Sequence, residues 1–164
     1  MDAIIHVRPM KRKDLGMVGE IDRISFSEPW PTNTFAYELT TTYSIALVAE
    51  DQEGKVIGAI VVWLVVDEAH VATIAVHPDY LHQGVGSALL SSALLIACRR
   101  GATSSLLEVR RSNLPALRLY ERFGYRVVGV REKYYQNDHE DALLLNLDRL
   151  DEIQLRNFLP STSV

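Results

Sequence analysis

Two rhythms of apolar residues alternate along the chain. Between Asp14 and Phe26, Leu15, Val18, Ile21 and Ile24 recur at the spacing of one helical face. The stretch "SEPWPTN" stops that helix with two prolines, and a shorter helix is expected over Thr34–Thr40. Ahead of both, "IIHVRP" (Ile4–Pro9) reads as a short strand. Then the pattern changes to β-rich apolar runs: "SIALVAE", a polar turn "DQEGK", "VIGAIVVWLVV" and "EAHVATIAV". Helical spacing returns from Gly86 to Arg100, with Gly101 placed as a C-terminal cap. "SSLLEVR" is a strand, and "NLPALRLYERFGY" a helix with Asn113 as N-cap, Pro115 in its first turn and Gly124 at its end. "RVVGV" and "DALLLNL" close the series as strands around the polar loop "REKYYQNDHE".

The order β, α, α, β, β, β, α, β, α, β, β predicts an α+β (α/β-like) fold, a mixed sheet of about seven strands flanked by about four helices. No repeat or linker interrupts it. From Asp148 the chain turns polar and weakly helical, so residues 1–150 read as one domain and 151–164 as a C-terminal tail.

Composition changes this picture little. The chain has 164 residues, 48% of them hydrophobic and 23% charged, with a formal net charge of −4. That length buries a real core, and an acidic balance gives no reason to expect nucleic acid or an anionic membrane as a partner. The longest apolar runs are too short to span a bilayer. "MDAIIHVRPMKRKD" lacks the apolar core of a signal peptide. Cys98 is the single cysteine, which excludes an intrachain disulfide, fits a cytoplasmic location, and reads as core filler. None of the five histidines has metal-ligand spacing, so no metal is expected.

The candidate chemistry begins in "HPDYLHQGVGSALL". A P-loop is excluded because no lysine follows the second glycine. A dinucleotide fingerprint is a poor match: His77–Gln83 separate the strand from Gly84, and Leu89 stands where a third glycine belongs. Two readings stay open. Gly84 and Gly86 either make a tight turn capping a helix, or bare backbone N–H groups at a helix start where a phosphate can approach.

"VATIAVHPDYLHQGVGSALL" resembles the acetyl-CoA-binding motif of the GNAT N-acetyltransferases, [RQ]-x-x-G-x-[GA]. The glycines match at Gly84 and Gly86; the leading Arg/Gln position is Leu81, a departure. "SEPWPTNTF", "SSLLEVRRSNLPALRLYERFGY" and "KYYQNDHEDALLL" extend the likeness over residues 4–148, toward the ribosomal-protein-alanine branch. The resemblance implies a mostly antiparallel, twisted sheet and an acetyl-CoA site. Loop residues His82, Gln83, Gly84, Val85, Gly86 and Ser87 would cradle the diphosphate. Ile74, Ala75 and Val76 would pair with the pantetheine arm, and Asn113 would touch the cofactor besides capping its helix.

Acetylating an amine requires removing a proton from an ammonium and delivering one to a departing thiolate. Glu108, at the end of "LLEVR", is the candidate base; its alternative is an ion pair with Arg110 or Arg111. Tyr120 is the candidate acid; its alternative is a core tyrosine. Glu28, Trp30, Tyr134 and Tyr135 lie in two polar loops that, in peptide-acetylating members, flank the substrate groove, and Glu140 and Asp141 add acidity to it or cap a strand. The expected activity is acetyl transfer from acetyl-CoA to a protein N-terminal α-amine, possible ribosomal protein substrates included, in a ternary complex. The expected state is a monomer or weak oligomer. Rival readings are acetylation of a small amine, such as a polyamine or aminoglycoside, and a non-catalytic acyl-CoA-binding subunit.

Overall fold

A computed structural model describes residues 4–31 and 33–160. Thr32 of "SEPWPTNTF" and the last four residues of the expected tail lie outside them. Seven strands form one sheet: β1 (His6–Pro9), β2 (Ser44–Glu50), β3 (Val56–Val65), β4 (Glu68–Val76), β5 (Ser104–Arg110), β6 (Arg126–Arg131) and β7 (Ala142–Leu147). Its order is β1-β2-β3-β4-β5-β7-β6. Every pairing is antiparallel except β4 with β5. The helices are α1 (Leu15–Ser25), α2 (Thr34–Glu38), α3 (Val85–Arg99), α4 (Leu114–Phe123) and α5 (Glu152–Arg156).

The uninterrupted apolar run of β3 follows from helices on both faces of the sheet. Ile57, Ile60 and Val62 pack with Val85, Leu89 and Leu94 of α3 on one face. Val56, Ala59 and Val61 pack with Val18 and Ile21 of α1 and Phe35 of α2 on the other. Helix α3 is buried along most of its length, which explains why its apolar periodicity is blunt. Before α1 the chain makes a short 3-10 turn, Arg12–Asp14. There the buried Asp14 accepts Arg8 at 2.8 and 2.9 Å and the Lys11 N–H at 2.8 Å, tying β1 to the start of α1.

The stretch after residue 147 packs more closely than its polarity suggested. Asp151 caps α5 by accepting the Ile153 N–H at 2.9 Å. Leu150 and Leu155 are buried in the main core, and Phe158 stacks on Phe123 with centroids 4.0 Å apart. Of the polar residues noticed in the sequence, Gln154 and Arg156 are exposed on this fifth helix, together with Ile153.

Candidate active site

The site originates in a fault in the sheet. β4 pairs with β5 only from Glu68↔Ser104 to Val71↔Leu107. At that point the β3–β4 register shifts, so that Val62 faces Val71 while Val61 faces Thr73, leaving Ala72 as a bulge. A bulge increases local twist and bends its strand. Beyond it Thr73–Val76 pair with β3 alone, and β5 diverges carrying Glu108 and Arg110. The second edge of β4 is thereby open in the middle of the sheet.

Two cavities occupy the opening. The larger, about 670 Å³, is a size that holds a cofactor-sized ligand. It is lined by Ile74, Ala75, Val76, His82, Gly84, Val85, Gly86, Ser87 and Asn113, nine of the ten residues expected to hold a coenzyme. Gln83 is the tenth; its side chain turns back to the Asp79 carbonyl at 3.4 Å. The loop wraps the start of α3 through two left-handed residues, His82 (φ +62°) and Gly84 (φ +86°). For Gly84 that conformation is free of cost. Gly86 serves a close approach: a Cβ there would lie 3.1 Å from Leu119 of α4. Its bare backbone lets α4 close against the first turn of α3.

The smaller cavity, about 180 Å³, is floored by Val71, Ala72, Thr73 and Ile74 and walled by Asp22, Glu28, Trp30, Glu108, Arg110, Tyr120 and Tyr135. The two cavities share Phe26, Ile74, Asn113 and Ala116. Asn113 caps α4 by accepting the Ala116 N–H at 3.2 Å, so its amide N–H groups remain available at the junction. Two turns along α4, Tyr120 is 4% exposed, and its hydroxyl has no hydrogen-bond partner among the described residues. Burial raises its pKa, with the neighbouring Tyr125 and Tyr135 adding to the effect, so the phenol stays protonated.

The ion pair considered for Glu108 has a different partner. Arg110 and Arg111 are engaged elsewhere, and the Glu108 carboxylate lies 3.4 Å from Arg131 of β6. Tyr134 stands outside the cavity lining but beside this carboxylate; a hydrogen bond to Glu108 and its charge raise the Tyr134 pKa. Tyr135 meets Tyr134 edge-on at 5.2 Å, and partial burial raises its pKa. Trp30 stacks near Trp63 at 6.3 Å and tilts against Phe35 at 4.8 Å, so its ring forms a fixed wall.

Several side chains not singled out in the sequence complete the site. Arg110 places its guanidinium 3.8 Å from the Tyr135 ring centroid and binds Asp138 at 2.9 Å, Glu140 at 3.3 Å and Asn137 at 2.9 Å. Partial burial works against its charge, but the hydrogen bonds to Asp138 and Glu140 outweigh it and raise the pKa. Asn137 donates its backbone N–H to Glu28 at 2.8 Å and its side-chain amide to Ser27 at 2.9 Å. These contacts join the two loops next to the smaller cavity, which Glu28 lines, between residues about 110 apart in sequence. Glu140 accepts the Ser112 N–H at 2.6 Å and Asp141 pairs with Arg111 at 3.4 Å, so both acids position the loop. Asp22 is buried and accepts the Trp30 backbone N–H at 2.7 Å; desolvation raises its pKa despite that bond. Only spatial neighbours distinguish Asp22, Asn137 and the site role of Arg110, which is why periodicity passed over them, whereas Glu140 and Asp141 were expected beside the groove.

Residues 15–125 match the acetyltransferase (GNAT) family. The chain is 39% identical over 140 residues to a Bacillus subtilis protein provisionally named [ribosomal protein bS18]-alanine N-acetyltransferase, covering 85% of this chain and 92% of that one. It is 34% identical over 143 residues to the [ribosomal protein bS18]-alanine N-acetyltransferase of Escherichia coli K12, covering 86% and 95%. The crystal structure of the ribosomal-protein-S18-alanine N-acetyltransferase from Escherichia coli superposes with a TM-score of 0.80 at 31% identity, over 90% of this chain and 96% of that one.

Proposed function

The chain belongs to the acetyltransferase (GNAT) family, and from that premise we propose that it transfers the acetyl group of acetyl-CoA to the N-terminal α-amine of a protein. A ribosomal protein beginning with alanine is the substrate that its relatives' names favour. The observation that carries the reading is the junction of the cavities. A large cleft beside the glycine loop meets a small acidic slot at Phe26, Ile74, Asn113 and Ala116.

The residues present fit acetyl-CoA. The open edge of β4 offers main-chain groups to an amide-bearing arm. The Gly84–Ser87 backbone at the start of the 15-residue helix α3 presents N–H groups and a positive helix end to phosphate. Bound acetyl-CoA supplies a thioester whose C–S bond gives way to an amide C–N bond.

We assign the remaining work to side chains of this chain. Asp22, Glu28 and Glu108 make the slot attractive to an ammonium. Glu108 takes the amine proton, directly or through a water; an α-amine titrating near 8 needs only modest help at neutral pH. Tyr120 offers an O–H that burial keeps protonated as a donor to the leaving sulfur. A thiol titrates near 8.5, well below this phenol, so its contribution is a hydrogen bond to the developing thiolate. The Asn137–Glu28 and Asn137–Ser27 bonds join the two loops beside Glu28 of the slot, and to this bridge we assign the preference for a chain end over a mid-chain lysine.

The test uses labelled acetyl-CoA and paired peptides of one sequence, N-terminus free or blocked, each with an internal lysine. Label is expected on the free α-amine alone, and Asn137→Ala should raise KM for the peptide while leaving KM for acetyl-CoA unchanged. Equal labelling of the blocked peptide, or faster labelling of spermidine than of any peptide, would overturn the reading.

A further inference from the structure

The phosphate cradle lacks the Arg or Gln side chain that its own pattern calls for. Leu81 occupies the leading position, and no lysine or arginine occurs from His77 to Ser91. Backbone N–H groups alone must then hold a polyanion, in a protein of net charge −4. The fold brings two arginines there from elsewhere in the chain. Arg118 and Arg122 of α4 both line the large cavity, and no Asp or Glu does. Arg122 donates to the Ser87 hydroxyl at 2.7 Å, which places its guanidinium at the first turn of α3.

Neither arginine has a carboxylate partner among the described residues; Arg12, Arg23, Arg100 and Arg149 have none either, but none of those lines the cavity, and the other arginines are paired. Four residues apart on one helix, Arg118 and Arg122 share a face, and like charges at that spacing repel. An anion bound between them removes that repulsion and gains charge-assisted hydrogen bonds. We propose that Arg118 and Arg122 form a diphosphate clamp on α4, taking over from outside the loop the side-chain contact vacant at position 81.

The inference rests on the acetyl-CoA reading, and ligand truncation separates the two. Calorimetric titrations would measure binding of CoA, of dephospho-CoA, which keeps the diphosphate, and of S-acetylpantetheine, which has no phosphate. Arg118→Gln and Arg122→Gln should each weaken CoA and dephospho-CoA by about tenfold, the loss of one charge-assisted hydrogen bond, and leave S-acetylpantetheine unchanged. Arg126→Gln, an equal change of charge at a site paired with Asp148 on β6, should bind all three as the parent does. Binding of CoA by the double variant as tightly as by the parent would overturn the clamp. So would a loss confined to CoA, which points to the 3′-phosphate, or a loss extending to S-acetylpantetheine, which points to a packing role. A parent protein that binds none of the three would instead overturn the acetyl-CoA reading itself.

Discussion

Two neighbouring tyrosines provide an internal control for the assigned chemistry. Tyr120 and Tyr125 are both buried, with ring centroids 5.5 Å apart, and burial raises both pKa values. Their hydroxyls differ. Ser105 donates its proton to the Ala69 carbonyl at 2.7 Å, so the Tyr125 O–H must donate to Ser105 Oγ, also at 2.7 Å. Tyr125→Phe therefore removes a buried hydrogen bond, at a cost of about 1 kcal/mol of stability. Tyr120→Phe removes a hydroxyl that has no partner among the described residues and borders the slot. Its stability should shift by no more than about 0.5 kcal/mol in either direction. Loss of a group acting on the leaving sulfur should lower kcat by about 10²-fold or more, which is about 2.7 kcal/mol or more of barrier. Thermal melting and steady-state turnover on a free-amine peptide, run on both variants, should give opposite orders: Tyr125→Phe less stable and active, Tyr120→Phe stable and nearly inactive. Because burial pushes the Tyr120 pKa above the usual phenol range, the parent's kcat should also show no alkaline decline up to about pH 10. A Tyr120→Phe enzyme within threefold of parental turnover, or one that melts as early as Tyr125→Phe, would refute the assignment.

Glu108→Gln should lower kcat/KM at pH 7 and recover part of it above about pH 8, where the α-amine is already neutral; a pH-independent defect would assign Glu108 to structure. Asp14 gives an acid-side prediction. The Arg8 hydrogen bond, with the Lys11 N–H, holds its folded pKa below the unfolded value despite desolvation, so its stabilisation is complete above about pH 4 and fades as pH falls through the folded pKa. Asp14→Asn should lower Tm at neutral pH, and the gap to the parent should narrow on acidification; a constant gap would contradict the linkage.

The arrangement of elements was legible because each has a local cause. The Leu15–Ile24 spacing, the two prolines after α1, the Asn113 cap and Gly124 each act within a few residues. The glycine loop and Glu108 were legible for the same reason, since their residue types stand next to an element end. Arg110, Asn137 and Arg122 were not. Their partners lie 28, 109 and 35 residues away, brought close only by the divergence of β5 from β4 and the pairing of β6 with β7. An arginine on an exposed helix face carries no mark of its eventual neighbour. Helix α5 was underestimated because its buried face is only Leu155, supported by Leu150 and Phe158 outside the helix.

The same limit explains why net charge described this protein poorly. Charge acts over about 8 Å at physiological ionic strength, so a ligand responds to the lining of its own cavity and hardly to a sum over the chain. Here the lining divides by sign. The large cavity holds Arg118 and Arg122 and no carboxylate, while the small one holds Asp22, Glu28 and Glu108 against Arg110, itself bound by Asp138 and Glu140. Asn113 stands where they meet. A polyanionic donor and a cationic amine are thus drawn to opposite sides of one junction, and exchanging their places would set phosphate against carboxylate and ammonium against guanidinium. In the proposed arrangement, the electrostatics select which substrate enters from which side before any contact at the reacting atoms is made.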